Sequence, residues 1–150
     1  MKMTTDKLRL DENFKTLDES LVCRLGYQFE TACLIDKITN QITPIFEFYG
    51  NPTCGLIGNR NDWFLIGGEV LILKTNVDNT IQPIGDLKNI HSLKLLDDYA
   101  ALILTDPWSE ESAIYKLTIT LNPTIRKIEL KKIRNFTKYI DQSYTENIEW

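Results

Sequence analysis

Along most of the chain, short apolar runs alternate with breaks rich in Gly, Asn and Asp, the pattern of strands joined by tight turns. Two runs, Asp62-Trp63-Phe64-Leu65-Ile66 and Glu69-Val70-Leu71-Ile72-Leu73-Lys74, flank Gly67-Gly68. This spacing predicts a β-hairpin whose glycines supply the positive φ of its turn. Leu93-Lys94-Leu95-Leu96 and Tyr99-Ala100-Ala101-Leu102-Ile103-Leu104, separated by Asp97-Asp98, predict another.

A longer period lies over these hairpins. Leu34 to Ile45, Leu71 to Ile84 and Leu117 to Ile128 each read as strand, Asn-bearing turn, strand. Their closing segments start at Ile42, Ile81 and Ile125, 39 and 44 residues apart. That is close to the length of a four-stranded propeller blade or of two successive hairpins. Three units are too few for an ordinary closed propeller, so the expected architecture is mainly β: an antiparallel meander of propeller-like hairpin repeats, arranged as a twisted meander, a partial propeller or an open barrel. Pro44 and Pro83 cannot donate to a ladder, which places their strands at an edge or starts them there.

The ends and the middle break this pattern. Leu10, Phe14, Leu17 and Leu21 recur at helical spacing and predict a short amphipathic helix over 11–20. Ile125, Ile128, Ile133, Phe136 and Ile140 fit a helical face, but the repeat makes 124–130 a strand, followed by a helix or an extended tail. Residues 50–62 read as one long polar loop. Its Gly55-Leu56-Ile57-Gly58 only echoes the GXXG loop of KH domains, and it contains neither G-x-G-x-x-G nor G-K-[ST]. No Gly-, Pro- or Ser-rich linker divides residues 1–150, which are expected to form one domain.

Composition strengthens the β reading: 18 Ile, 15 Thr and 3 Val stand against 4 Ala, a balance that favours pleated surfaces over long helices. No apolar run approaches the ~20 residues of a membrane span. The first residues are charged without a following apolar stretch, so no leader and a cytoplasmic location are expected. Cys23, Cys33 and Cys54 are odd in number and widely spaced, which suits buried thiols in a reducing compartment. His91 is the single histidine, so one chain cannot build a two-His metal site, and its surroundings contain no nucleophile elbow. No cofactor and no catalytic residues are expected.

Charge carries more information. Seventeen basic against 21 acidic residues give a net charge of −4, which disfavours a general nucleic-acid binder. Residues 97–112 hold Asp97, Asp98, Asp106, Glu110 and Glu111 without a Lys or Arg, whereas 124–138 hold Arg126, Lys127, Lys131, Lys132, Arg134 and Lys138 against Glu129. In Asp106-Pro107-Trp108-Ser109-Glu110-Glu111 a large aromatic sits among acids, a combination that steers and anchors a basic partner. Trp108 folded back onto the sheet is the competing arrangement, and the basic stretch has the acidic segment of its own chain as an alternative partner.

Gly50-Asn51-Pro52, the Trp63 to Gly68 run, the meander and the Asp106-Pro107-Trp108 loop together resemble the small, acidic, cytosolic immunity proteins of bacterial polymorphic-toxin systems, including contact-dependent growth inhibition. The resemblance lies in size, composition and style over most of the chain and transfers no residue by motif. It implies a non-enzymatic inhibitor that occludes one cognate toxin domain, often a nuclease. On charge and aromatic placement, the expected contact residues are Asp97, Asp98, Asp106, Trp108, Glu110 and Glu111. The alternatives are a general adaptor that binds peptides by strand addition, and an enzyme or ligand carrier in which His91, Arg60 or Asp62 converge.

Overall fold

A computed structural model describes residues 12–121 and 126–150. Among these residues, twelve strands form three four-stranded antiparallel sheets, each a meander of consecutive strands. Sheet A contains β1 (Lys15–Glu19), β2 (Cys23–Gln28), β3 (Thr31–Asp36) and β4 (Ile42–Glu47). Sheet B contains β5 (Cys54–Ile57), β6 (Trp63–Gly67), β7 (Leu71–Thr75) and β8 (Thr80–Pro83). Sheet C contains β9 (Ile90–Asp97), β10 (Ala100–Thr105), β11 (Ala113–Leu121) and β12 (Arg126–Asn135). The mainly β meander expected from the sequence is present, and each repeat noted there is the third and fourth strand of one sheet. Pro44 and Pro83 lie in β4 and β8, both outer edges. Ile125 lies outside the described residues.

Sheet B stands between the other two. Trp63, Leu65, Leu71 and Leu73 pack toward Ala101, Ile103, Leu117 and Ile119 of sheet C. Phe64, Ile66 and Ile72, on the opposite face, pack toward Leu25, Ala32 and Ile45 of sheet A. Every residue of β6 and β7 is therefore buried, and a strand covered on both faces needs an apolar run rather than alternation. The first strands meet at the seams, with β5 against both β1 and β9. There the Asp18 carboxylate accepts the Ile57 N–H at 2.7 Å, and the Thr53 hydroxyl donates to the Ile90 carbonyl.

Two local expectations are corrected, and the alternative left open at the C-terminal end is decided. Residues 15–19 form β1, and the described residues contain no helix. Leu17 is the bulged residue between Thr16 and Asp18 and enters the A–B core, while Leu21 is 93% exposed in a turn. Tertiary packing thus overrides the helical spacing; Leu10 lies outside the described residues. The chain beyond β12 is an irregular tail rather than a helix, with Phe136, Tyr139, Ile148 and Trp150 laid against Leu102, Leu104 and Ile114. Residues 50–62 contain β5, because Ile57 is buried against sheet A and Gly55 fits under Leu17 and Leu25.

The Gly67-Gly68 hairpin exists, but neither glycine has positive φ. Gly67 is the last residue of β6, and a Cβ there would lie 2.5 Å from Ile90 Cγ2 and 2.8 Å from Cys54 Sγ. Glycine is required by the close approach of β9, not by turn geometry.

Candidate functional site

Because successive strands run antiparallel, the connections sort onto two ends of the molecule. One end gathers the β2–β3, β6–β7 and β10–β11 turns with the β4–β5 and β8–β9 connections; we call it the connector end. The other, the hairpin end, gathers the β1–β2, β3–β4, β5–β6, β7–β8 and β9–β10 turns. Backbone hydrogen bonds stitch the connector end together: Phe48 N–H to the Glu30 carbonyl at 2.8 Å, Asn89 N–H to Glu69 at 3.1 Å, and Asp106 N–H to Asn89 at 2.9 Å.

The two ends carry different charge. The connector-end loops hold Glu30, Glu69, Asp86, Asp106, Glu110 and Glu111 with Lys88, and they are flanked by Glu47 at the end of β4, by Lys15 at the start of β1 and by Arg134 and Lys138 around the end of β12. The hairpin-end turns mix Asp62, Asp78 and Asp98 with Lys37 and Arg60. Two clefts open at the connector end and share Asn89 and Asp106. The larger, about 310 Å³, lies between the Gly50–Thr53 segment, Glu69 and His91. The smaller, about 150 Å³, runs along Asp86, Lys88, Ser109 and Glu111.

The six residues singled out from the sequence do not form one patch. Asp106, Trp108, Glu110 and Glu111 stand together in the β10–β11 loop at the connector end. Asp97 and Asp98 belong to the β9–β10 turn at the other end of the six-residue strand β10, on the order of 20 Å away at ~3.3 Å per residue. Asp98 is also engaged within the chain. Its carboxylate accepts from Asn59 at 3.1 Å and from Arg60 at 3.4 Å, while its carbonyl accepts the Trp63 indole N–H at 2.8 Å. The hydrogen bond from Asn59, aided by Arg60, holds the Asp98 carboxyl below its ordinary range.

Trp108 is half-buried between two rings. It stacks on Tyr144 with centroids 5.0 Å apart and meets the edge of His91 at 5.6 Å, and its indole nitrogen is buried without a hydrogen-bond partner. This is closer to the folded-back arrangement than to a free anchor. Burial pushes the His91 imidazole below its ordinary value, and the Asp106 charge partly opposes that shift. His91 stands at the start of β9, whereas Arg60 and Asp62 occupy the hairpin end, so these three do not converge. Among the described residues there is no cluster of metal-ligating side chains, and the acidic β10–β11 loop makes no ion pair with the basic stretch.

Sequence reasoning missed Glu30, Glu69, Asp86 and two exposed aromatics, Phe29 and Tyr49, 69% and 92% accessible. The usable signal was the repeat itself: once each unit is a four-stranded meander, counting turns tells which loops share an end. No family model, curated protein or solved structure matches the chain.

Proposed function

We propose that the chain is an immunity-type inhibitor that uses its connector end to occlude a basic toxin domain, most naturally a nuclease whose own substrate is polyanionic. The observation that carries this reading is the uneven charge of the loops, with six carboxylates against Lys88 within those of the connector end and three against Lys37 and Arg60 within the hairpin-end turns. Such a field raises the encounter rate with a cationic surface, and carboxylates desolvated on contact then slow release. The packed three-sheet core supplies a scaffold on which those loops need little reordering when a partner binds, which limits the entropy lost on association. Strand addition by a general adaptor is less well supported at two of the outer edges, because Pro44 in β4 and Pro83 in β8 remove donors there.

The test is a titration of the purified chain against the secreted toxin domain encoded beside its gene, with rescue of cells expressing that domain. The Asp106→Lys/Glu110→Lys/Glu111→Lys variant is expected to bind at least about 100-fold more weakly, roughly 2.7 kcal/mol, with its melting temperature preserved. Unchanged affinity removes this end from consideration. Absence of binding and of rescue by the unaltered chain refutes the reading.

A further inference from the structure

The β2–β3 turn has a conformation that its residues do not favour. Gln28 pairs with Thr31, so Phe29 and Glu30 are the two central residues, with φ of 51° and 70°. Positive φ at both positions is the I′ pattern, for which Asn-Gly is the low-cost solution. Elsewhere among the described residues, the non-glycine positions with positive φ are Asn40, Asn61, Asn79, Asn89 and Asp141, all of the types that tolerate it. Turn geometry therefore does not account for an aromatic at 29. The Phe29 ring does not serve the core either, since the residue is 69% exposed.

The surroundings of this turn supply a use for it. Tyr49, 92% exposed, follows Phe48, whose N–H donates to the Glu30 carbonyl at 2.8 Å. The Tyr49 N–H donates to the Glu69 carboxylate of sheet B, and Glu47 pairs in register with Thr31. Two exposed aromatics are thus tied by backbone into one corner of the connector end, beside Glu30, Glu47 and Glu69. Trp108, the aromatic that the sequence picks out, is already stacked on Tyr144.

We infer that Phe29 and Tyr49 form the aromatic half of a docking site for an arginine-bearing segment of a protein partner, with Glu30, Glu47 and Glu69 as the acidic half; this rests on the connector-end reading above. The chemistry selects arginine because its planar, weakly hydrated guanidinium stacks on an aromatic face while its N–H fork meets a carboxylate. A lysine ammonium is more strongly hydrated and offers a point charge.

The experiment uses the full chain and two probes of equal charge, octa-arginine and octa-lysine peptides, followed by calorimetry and by amide chemical shifts. The unaltered chain is expected to bind octa-arginine about fivefold or more tightly than octa-lysine, with the largest shifts at 29–31 and 47–50. In Phe29→Ala/Tyr49→Ala the preference is expected to fall below about twofold while octa-lysine affinity is kept. A second variant, Phe29→Asn/Glu30→Gly, installs the favoured turn; it is expected to melt several degrees higher and also to lose the preference. A preference that survives either variant overturns the inference, and so do shifts that bypass this corner. If it survives while Asp106→Lys/Glu110→Lys/Glu111→Lys abolishes binding of both peptides, the docking site fails and the connector-end reading stands. If neither peptide binds the unaltered chain, both fail.

Discussion

Two adjacent residues of β6, Phe64 and Leu65, test whether sheet B has two packed faces. Both are 0% exposed, yet their side chains enter different clusters: Phe64 packs toward Leu25 and Ile45 of sheet A, Leu65 toward Ala101 and Leu117 of sheet C. In a sheet with one solvated face, one of two successive positions would tolerate truncation. Here each leaves a cavity in a different seam, and large-to-small core changes cost about 2–5 kcal/mol, with aromatics toward the upper end. We expect about 3 kcal/mol for Leu65→Ala and about 4 kcal/mol for Phe64→Ala. At about 2–4 °C per kcal/mol for a domain of this size, the melting temperature falls by about 6–12 °C and about 8–16 °C. Either loss is a large fraction of a typical total stability of about 5–15 kcal/mol. Urea unfolding followed by tryptophan fluorescence and circular dichroism measures both, with Thr120→Ala on exposed β11 backbone expected to stay within about 0.5 kcal/mol. A cost below about 1 kcal/mol at either position would refute the central placement of sheet B.

Further outcomes follow from single side chains. Asp18→Ala leaves the Ile57 N–H, bonded at 2.7 Å, without its acceptor and should cost about 1–3 kcal/mol in the same urea assay, with much of the loss recovered by Asp18→Asn. The His91 imidazole is pushed down by burial. Its contribution to stability is therefore complete above its ordinary value of about 6.5 and is lost as pH falls through the lowered one. The urea midpoint should drop between about pH 7.5 and about pH 5, more in Asp106→Asn, which removes the opposing charge, and less in His91→Asn. Burial pushes the Cys33 and Cys54 thiols up to about 11 and raises that of Cys23. A thiol-specific disulfide reagent should label the native chain slowly and all three cysteines quickly once urea unfolds it.

The parts of the fold legible in the sequence were those in which local pattern and tertiary demand agree. The 39- and 44-residue recurrences marked the third and fourth strands of all three sheets because each unit of the sequence sets an Asn between two apolar runs that pair as neighbours. At Asn40 and Asn79 those turns do use positive φ. The hairpin at Gly67-Gly68 was right for a wrong reason: the pattern exposes a need for glycine but not whether a turn or an approaching strand creates it. The helix over 11–20 failed because residues 15–19 pair with β2: Leu17, at the bulge, reaches the A–B core, Phe14 lies over Gly26 and Leu21 is exposed, so the helical spacing corresponds to no common face. β5 was hidden because a four-residue strand with a glycine at 55 inside it and another at 58 just after it looks like a loop until its neighbours are known.

The candidate site was less legible than the fold for a topological reason. Asp98 and Asp106 are eight residues apart in the sequence, a separation that suggests one acidic patch, but an intervening six-residue strand sends them to opposite ends. Glu30 and Asp106 are 76 positions apart and share an end, because both follow an even-numbered strand. In a stack of meanders, turn parity rather than sequence distance decides which charges add. That parity also separates the two kinds of aromatic at the connector end. Trp108 lies in the most acidic loop and attracts attention by composition, yet Tyr144 and His91 already cover it. Phe29 has no compositional signal at all and is conspicuous only through a backbone angle that a phenylalanine rarely adopts. A residue held in an unfavourable conformation with its ring in solvent gains nothing there for the fold, so the surrounding packing carries the cost, and the arginine-docking role inferred above is what the exposed ring would supply in return.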